Sequence, residues 1–324
     1  MRTPSFWRHG SAGALPHLLA PLGHITQRAT ARRVARPGYL APVPVVCCGN
    51  AGVGGAGKTI LVLDLAARLL ARGWRVGLLT RGHGGRAAGP LRVEPDRHTA
   101  REVGDEAMLL AACAPTYVGA DRSVTARLAA ADGAQVLLMD DGLQNPTLQK
   151  TASLLVVDGA AGFGNGRLLP AGPLREPAAA AAARCSACVL IGADATNALA
   201  VLPAGMAVLQ AHLVAGPEIA GLAGRSVLAF AGIGRPEKFF DMLAQAGVQL
   251  AECTSFADHH RFSQQDLAML LSQAGKLGAV PVTTPKDLAR MDTQDRVQFT
   301  VIGVSLAWED NAGVDAWLNR VLGA

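Results

Sequence analysis

The sequence predicts an α/β protein: a parallel sheet with helices on both faces, a smaller second α/β unit, and an amphipathic helix ahead of both. Three observations lead there. An apolar run, Val43 to Cys48, enters a glycine-rich loop and emerges as a helical pattern at Leu61, Leu65 and Leu69. Apolar runs and helical stretches then alternate with short glycine turns as far as Gly192, which is how a parallel sheet is written. From about Gly224 a second alternation begins. With 324 residues, 50% hydrophobic and 17% charged, the chain can bury a substantial core in one large or two medium domains. The expected boundaries are 1–38 for the amphipathic segment, 39–222 for the first domain and 223–324 for the second.

In the first segment, Leu15, Leu18, Leu19 and Leu22 recur at i, i+3, i+4, i+7, one face of a helix, and Arg28, Arg32, Arg33 and Arg36 close it. Pro16 and Pro21 are expected to break or kink that helix. No apolar run approaches the roughly 20 residues that span a bilayer. A secretory signal does not fit either, because His17, Pro21 and His24 interrupt the apolar stretch. Two readings remain open from periodicity: a helix packed on the body of the protein, or one lying in a membrane interface with arginines at anionic headgroups.

Gly52-Val53-Gly54-Gly55-Ala56-Gly57-Lys58-Thr59 fits the phosphate-binding P-loop. Glycines let backbone N–H groups turn inward around phosphate oxygens, and the following helix start adds partial positive charge. Lys58 reaches the terminal phosphates, and the Thr59 hydroxyl can ligate Mg²⁺. The motif implies use of a nucleoside triphosphate, without naming a reaction.

Arg75 to Thr80 reads as the next strand, ending in the basic loop Arg81-Gly82-His83-Gly84-Gly85-Arg86. Loops leaving the C-terminal ends of parallel strands gather at one edge, where ligands bind, so Arg81 and Arg86 are placed for phosphate or for solvent. Gly104-Asp105-Glu106 opens a helical run. Its two carboxylates suit a helix dipole, or serve as a base and a metal ligand. Ala134 to Asp141 is an apolar strand ending in acid, the Walker B pattern, so Asp140 and Asp141 are candidates to hold Mg²⁺. Gly142-Leu143-Gln144-Asn145 is its exit loop, and Leu154 to Asp158 a further strand. The loop from Gly164 to Glu176 carries Arg167 and Arg175 and suits an anionic acceptor or a cover for the sheet edge. The alanine run 178–183 reads as a helix, and Val189 to Gly192 as a strand.

In the second unit, Val227 to Ala231, Ala279 to Thr284 and Phe299 to Val304 read as strands, and Glu237 to Ala246 as a helix. Asp258-His259-His260 falls in a loop. Adjacent side chains of an extended segment do not share a face, which argues against a three-ligand metal site there. The six cysteines lie mostly in apolar runs, and Cys185-Ser-Ala-Cys188 lacks two further ligands at zinc spacing, so they read as structural. Net charge is +5. That suits anionic ligands or an anionic membrane. Without an aromatic-interleaved basic stripe it gives no sign of nucleic acid.

Taken in order, Gly49-Asn50 through Thr59, Arg81-Gly82-His83-Gly84, Gly104-Asp105-Glu106, Asp140-Asp141-Gly142-Leu143-Gln144, the run Gly166-Arg-Leu-Leu-Pro-Ala-Gly-Pro-Leu-Arg-Glu176, Phe256 to His260 and Thr283 to Asp287 closely resemble the tetraacyldisaccharide 4'-kinase family of Gram-negative bacteria. The resemblance covers nearly the whole chain. It implies transfer of the ATP γ-phosphate, with Mg²⁺, to the 4'-hydroxyl of tetraacyldisaccharide 1-phosphate in lipid A synthesis. It implies a monotopic enzyme on the cytoplasmic face of the inner membrane, with no required protein partner, and tips the N-terminal helix toward membrane docking. It also implies roles. Lys58 and the glycine loop hold phosphates. Thr59, Glu106 and Asp140 or Asp141 surround Mg²⁺. Asp105, assisted by His259, takes the acceptor proton. Arg81, Arg122, Gln144, Arg167 and Arg175 are candidates for gripping the lipid. With Asp105 and His259 on different domains, the domains are expected to close before chemistry. The sequence departs from the family pattern at Gly52 and Ala56, where threonine is usual, at Ile60 for proline, at His83 for tyrosine, at Asn145 for histidine and at Pro285 for glutamate.

The main rival is a P-loop nucleotide switch acting on a protein. Guanine readers use Asn/Thr-Lys-x-Asp, and here Lys286 and Asp287 are adjacent. A soluble ATP-dependent ligase of the same sheet class has no use for the amphipathic N-terminus.

Overall fold

The computed structural model describes residues 4–11, 13–87 and 89–323. The chain opens on helix α1 (Ala14–Val34), uninterrupted at Pro21. Pro16 lies in the first turn, where a missing N–H removes no bond, so the expected break does not occur. α1 lies on the body through a small-residue face. Pro16, Gly23 and Thr30 are buried, Thr26 Oγ1 donates to the Leu169 carbonyl at 2.7 Å, and Thr30 Oγ1 donates to that of Arg175 at 2.9 Å. Both carbonyls belong to the loop that carries Arg167 and Arg175.

Strand β1 (Val45–Gly49) feeds the glycine loop and helix α2 (Lys58–Ala71). Next come β2 (Val76–Thr80), β3 (Leu91–Arg92), the short helices α3 (Ala100–Val103) and α4 (Asp105–Ala111), β4 (Thr116–Val118), α5 (Arg122–Ala131), β5 (Val136–Asp140), β6 (Ala152–Asp158), α6 (Ala178–Ala182), β7 (Ala187–Ile191) and β8 (Ala207–Ala215). The second unit holds β9 (Ser226–Ala231), α7 (Pro236–Gln245), β10 (Gln249–Ser255), α8 (Gln264–Leu277), β11 (Val280–Thr283), α9 (Pro285–Leu288), α10 (Thr293–Arg296) and β12 (Thr300–Val301). The chain ends in β13 (Val304–Trp308) and α11 (Asn311–Leu322).

The larger sheet has the order β13-β8-β7-β6-β1-β5-β2-β4-β3. It is parallel from β8 to β4, with antiparallel edges at β13 and β3. Strands β1, β2, β5, β6 and β7 are buried along their whole length, which explains why they read as unbroken apolar runs rather than alternations. One face packs on α2 and α11 through Leu61, Leu65, Leu69, Val314, Trp317 and Leu318. The other packs on α5 through Ala126 and Ala129, and on α6 through Ala178, Ala181 and Ala182. The smaller sheet, β10-β9-β11-β12, is all parallel.

The C-terminal boundary differs from the sequence expectation. Residues after β12 leave the second unit, and β13 pairs antiparallel with β8 from Val304↔Ala215 to Trp308↔Ala211. Trp308, Trp317 and Leu318 then join the core under α2. The apolar face of α11 had to be buried, and the first sheet offered an open edge and an uncovered face beside α2. The two units are therefore joined by two crossings rather than one.

Among the described residues, no helix is long and apolar enough to cross a membrane. All six cysteines are free, and Cys47, Cys48 and Cys188 are buried in the core.

Candidate active site

The glycine loop leaves β1 at the C-terminal edge of the larger sheet. Gly57, the residue before α2, sits at φ +89°, and a Cβ there would lie 2.5 Å from Ile191 Cδ1. Only glycine meets both conditions. The loop is braced by the chain beneath α1: Val53 N–H donates to the Pro173 carbonyl at 2.9 Å, and Gly52 forms a bridge with Leu174. Lys58 folds back over the loop. Its Nζ donates to Asn50 Oδ1 at 3.0 Å and to the Gly54 carbonyl at 3.3 Å, and lies 3.7 Å from Asp141 Oδ2. This is a lysine tethered at the mouth of a cradle of amides, the arrangement that receives phosphate.

The two acidic residues at the end of β5 separate into different roles. Asp140 is 2% exposed. Its Oδ2 accepts from Thr59 Oγ1 at 3.0 Å, and its Oδ1 is buried without a partner. Burial, then the charges of Glu106 and Asp141, push its pKa up to about 7. An orphaned carboxylate oxygen next to the P-loop hydroxyl, in a buried setting with other acidic charge nearby, fits Mg²⁺. Among the described residues no three His, Cys, Asp or Glu side chains converge as a metal centre. Asp141, at φ +50°, turns the other way. It accepts from Arg175 through both oxygens at 3.0–3.2 Å. Burial alone would raise its pKa, but Lys58 and Arg175 hold it below the usual carboxylate range.

Gln144 joins that second network. Its amide donates to the Asn50 carbonyl at 2.8 Å and to Glu176 Oε1 at 2.7 Å, and its carbonyl accepts from Arg175 at 3.2 Å. Gln144 and Arg175 thus prop the glycine loop and Asp141. They are not presented as free acceptor ligands. Arg122 departs further from expectation. It is 2% exposed, its Nη1 donates to the Gly119 carbonyl, and its Nε is buried without a partner. Placed in the first turn of a helix packed on the sheet, its side chain is enclosed within the field of Asp140 and Asp141. Arg81 stands exposed on its loop, and Arg167 is half-buried under α1.

The loop Arg81–Arg86 lies flat against the turn between α3 and α4. Gly104 is at φ +91°, and a Cβ there would lie 2.5 Å from the His83 carbonyl. This close approach fixes where α4 begins, and so where Asp105 and Glu106 point. Asp105 is 4% exposed. Its Oδ1 caps the Glu106 N–H at 2.9 Å. Its Oδ2 meets His259 Nδ1 at 3.1 Å and accepts from Arg290 Nε at 2.9 Å and Nη2 at 2.7 Å. Burial would raise the Asp105 carboxyl, but the His259 contact and the charges of Arg290 and Lys286 overcome it and hold the group well below the usual range. The same contact raises the His259 pKa, against burial. His259 sits at φ +57° in the turn after β10, its ring edge-on to His83 at 5.7 Å. The couple joins the two units without further movement, so the closure expected from sequence is not needed to bring these side chains together. A cavity of about 500 Å³ opens beside it, lined among others by His83, Asp105, His259, Arg261 and Arg290.

The family profile for tetraacyldisaccharide-1-P 4'-kinase, LpxK, matches residues 15–323. The chain belongs to this family. Tetraacyldisaccharide 4'-kinases that resemble it include one from Gluconacetobacter diazotrophicus, 53% identical over 99% of both chains, and one from Rhodospirillum centenum, 50% identical over 99% of this chain and 97% of the relative. A crystal structure of LpxK from Aquifex aeolicus in complex with ATP superposes with a TM-score of 0.74 at 26% identity, covering 95% of this chain and 99% of that one. The matched members are named as kinases, which transfer phosphate to a hydroxyl.

Against this family framework the structure adds residues that sequence reasoning passed over. Arg290 grips Asp105 and also donates to the Gly232 carbonyl at 2.8 Å and to Asp287 Oδ1 at 3.0 Å. Lys286 Nζ lies 2.7 Å from Glu106 Oε1. Asp158, at the end of β6, binds Lys238 at 2.5 Å and also Arg235. Asn50 holds Lys58. Lys286 and Asp287 lie in α9 and Arg290 two residues past its end, and the run Thr283 to Asp287 was the signal for the first two. Nothing local told that this stretch faces Asp105 from another sheet.

Proposed function

We propose that this kinase transfers the γ-phosphate of ATP to the 4'-hydroxyl of tetraacyldisaccharide 1-phosphate, at the cytoplasmic face of the bacterial inner membrane. The observation that carries the reading is the Asp105–His259 couple. It opens on a cavity on one side and adjoins, through Glu106, the Asp140 end of the glycine loop on the other. The couple gives the acceptor hydroxyl a base on the side away from the nucleotide.

Gly52–Gly57 and Lys58 bind the β- and γ-phosphates. Thr59 and Asp140 would hold Mg²⁺, with Glu106 close enough for its charge to act on Asp140, and the ion would supply positive charge to the phosphoryl group in transfer. Asp105 takes the hydroxyl proton with the help of His259. The two titrate as a pair, and the raised proton affinity of the imidazole lets the couple keep what the carboxylate alone would hold weakly. Arg290 fixes the carboxylate. Arg81, exposed on its loop, and the half-buried Arg167 are the candidates for the lipid's anionic groups.

The first helix supports a membrane location. Leu15, Leu18, Leu22 and Ile25 are 47–77% exposed, while the opposite face packs on the Leu169–Arg175 loop. At i, i+3, i+7, i+10 they form one outward stripe above Arg28, Arg32, Arg33 and Arg36. Such a stripe buries favourably in an interface with basic residues at the headgroups. Docked in that way, the helix would set the loop that carries Arg167 next to the bilayer that holds the substrate.

The test is incubation of purified protein with γ-labelled ATP, Mg²⁺ and tetraacyldisaccharide 1-phosphate in mixed micelles. Label is expected in the lipid, and Asp105→Ala should lose about 10²–10⁴-fold. Hydrolysis without lipid labelling, stimulated by a protein instead, would favour the nucleotide-switch reading.

A further inference from the structure

Two short helices from different units meet beside the reaction path. α4 carries Asp105 and Glu106, and α9 carries Lys286. The Lys286 ammonium rests on Glu106 Oε1 at 2.7 Å, with 28% of the side chain exposed. Its charge also acts on Asp105 and on Asp140. Its ion pair is thus with the residue that follows Asp105, and its charge reaches the carboxylate beside the P-loop hydroxyl. Lys58 is held elsewhere, at Asn50, Gly54 and Asp141. Each unit thus contributes a lysine to the site's acids, Lys58 to Asp141 and Lys286 to Glu106.

Lys286 is not needed to hold α9. Thr284 Oγ1 caps the Asp287 N–H at 3.2 Å, and Asp287 accepts from Gly232 N–H at 3.0 Å and from Arg290 at 3.0 Å. Arg290 in turn carries the tie to Asp105. These contacts hold α9 independently of the lysine, whose flexible stem ends on a partly open carboxylate. Such an ammonium can swing to a new anion at little cost.

We propose that Lys286 is a further catalytic residue, a cation supplied by the smaller unit that leaves Glu106 for the oxygens of the phosphoryl group in transfer. This rests on the kinase reading above. In the step, the bond from the γ-phosphorus to the β,γ-bridging oxygen breaks and its electron pair leaves with ADP. The acceptor oxygen bonds to the γ-phosphorus, and the acceptor proton passes to the Asp105–His259 couple. Lys286 donates to the non-bridging oxygens while charge spreads over them. A donor that reaches those oxygens only then raises kcat without tightening either substrate.

The experiment compares wild type with Lys286→Met in lipid phosphorylation, ATP binding by calorimetry, and trapping of labelled ADP with aluminium fluoride in the presence of lipid. The expected result is a kcat lower by about 10²–10³-fold, KM for lipid and Kd for ATP changed by less than about threefold, and loss of fluoride trapping. A thermal melt checks folding. If the methionine variant melts early, Lys286→Gln, which can still hydrogen-bond Glu106 but carries no charge, replaces it. A folded variant that traps ADP and turns over within about threefold of wild type overturns the proposal. A fall in ATP affinity equal to the fall in rate also overturns it, because the lysine would then serve binding. Wild type that phosphorylates no lipid would refute the kinase reading itself, a different outcome.

Discussion

Replacing Arg290 with leucine should be among the most damaging single changes outside the glycine loop. The guanidinium is 6% exposed and its partners Asp105 and Asp287 are 4% and 0% exposed. Leucine fills part of the volume but leaves both carboxylates buried beside each other without the cation. Breaking a buried pair by deleting one partner costs about 3–5 kcal/mol, largely for the charge left behind. At 1.4 kcal/mol per decade, that is roughly two to four decades in the folded-to-unfolded ratio. Direction with pH follows from Asp105. A carboxyl whose folded pKa is depressed contributes stability above its unfolded value, about 3.9, and loses it as pH falls through the folded value. Without Arg290 the folded pKa rises toward the unfolded one. The variant should therefore lose stability at neutral pH and begin acid unfolding at a higher pH than wild type. Urea unfolding at a series of pH values between about 3 and 7 measures both. Catalysis should fall as well, since His259 loses a fixed partner, and Arg290→Lys should recover only part of either effect because it lacks the fork. A leucine variant with an unchanged urea midpoint at pH 7, or an acid limb superposable on wild type, would refute the reasoning.

Other outcomes follow from the same contacts. Gly57→Ala meets both a left-handed backbone and the Ile191 side chain. It should destabilise by at least about 1–2 kcal/mol and abolish calorimetric ATP binding. Leu18→Glu with Ile25→Glu removes two residues that are 77% and 67% exposed. Thermal melting should barely move, whereas co-sedimentation with anionic vesicles should fall more than tenfold, given about 1.5–3 kcal/mol for burying each apolar side chain. Asp105→Asn removes the contact that raises the His259 pKa, so imidazole titration followed by NMR should shift to lower pH. A raised histidine pKa contributes stability that is full below the unfolded value of about 6.5 and is lost as pH rises through the folded value. The stability gap attributable to His259 should accordingly narrow above neutrality. Asp158→Ala releases Lys238 and Arg235, which are 31% and 35% exposed and can rehydrate. Its cost should stay near 1–2 kcal/mol by urea unfolding.

The glycine loop, the α2 stripe and the buried strands were legible because each is written locally. Glycine at 57 is required by the backbone at that residue, and Val45 to Gly49 reads as one apolar run because both faces of its sheet are covered. The site carboxylates were legible for a related reason, since Asp105 follows a glycine at a helix start and Asp140 ends an apolar strand. What those acids do was not. Asp140 and Asp141 are neighbours in sequence, and only the positive φ of Asp141 sends it to Arg175 while Asp140 keeps an open oxygen. Arg122, Gln144 and Arg175 looked alike as polar residues near the site. Packing buried the first and bound the other two beneath the glycine loop.

By itself the sequence determined the phosphate cradle, the sheet class and the amphipathic stripe, because glycine spacing and hydrophobic period act within a few residues. Only the tertiary structure decided that β13 and α11 return to the first sheet, that Arg290 and Lys286 face Asp105 and Glu106 from another unit, and that the histidine couple stands already joined. Those pairings span well over a hundred residues of chain. A charge at that separation leaves no mark on local pattern. It finds its partner only when burying the apolar faces of both units brings the two loops to the same place.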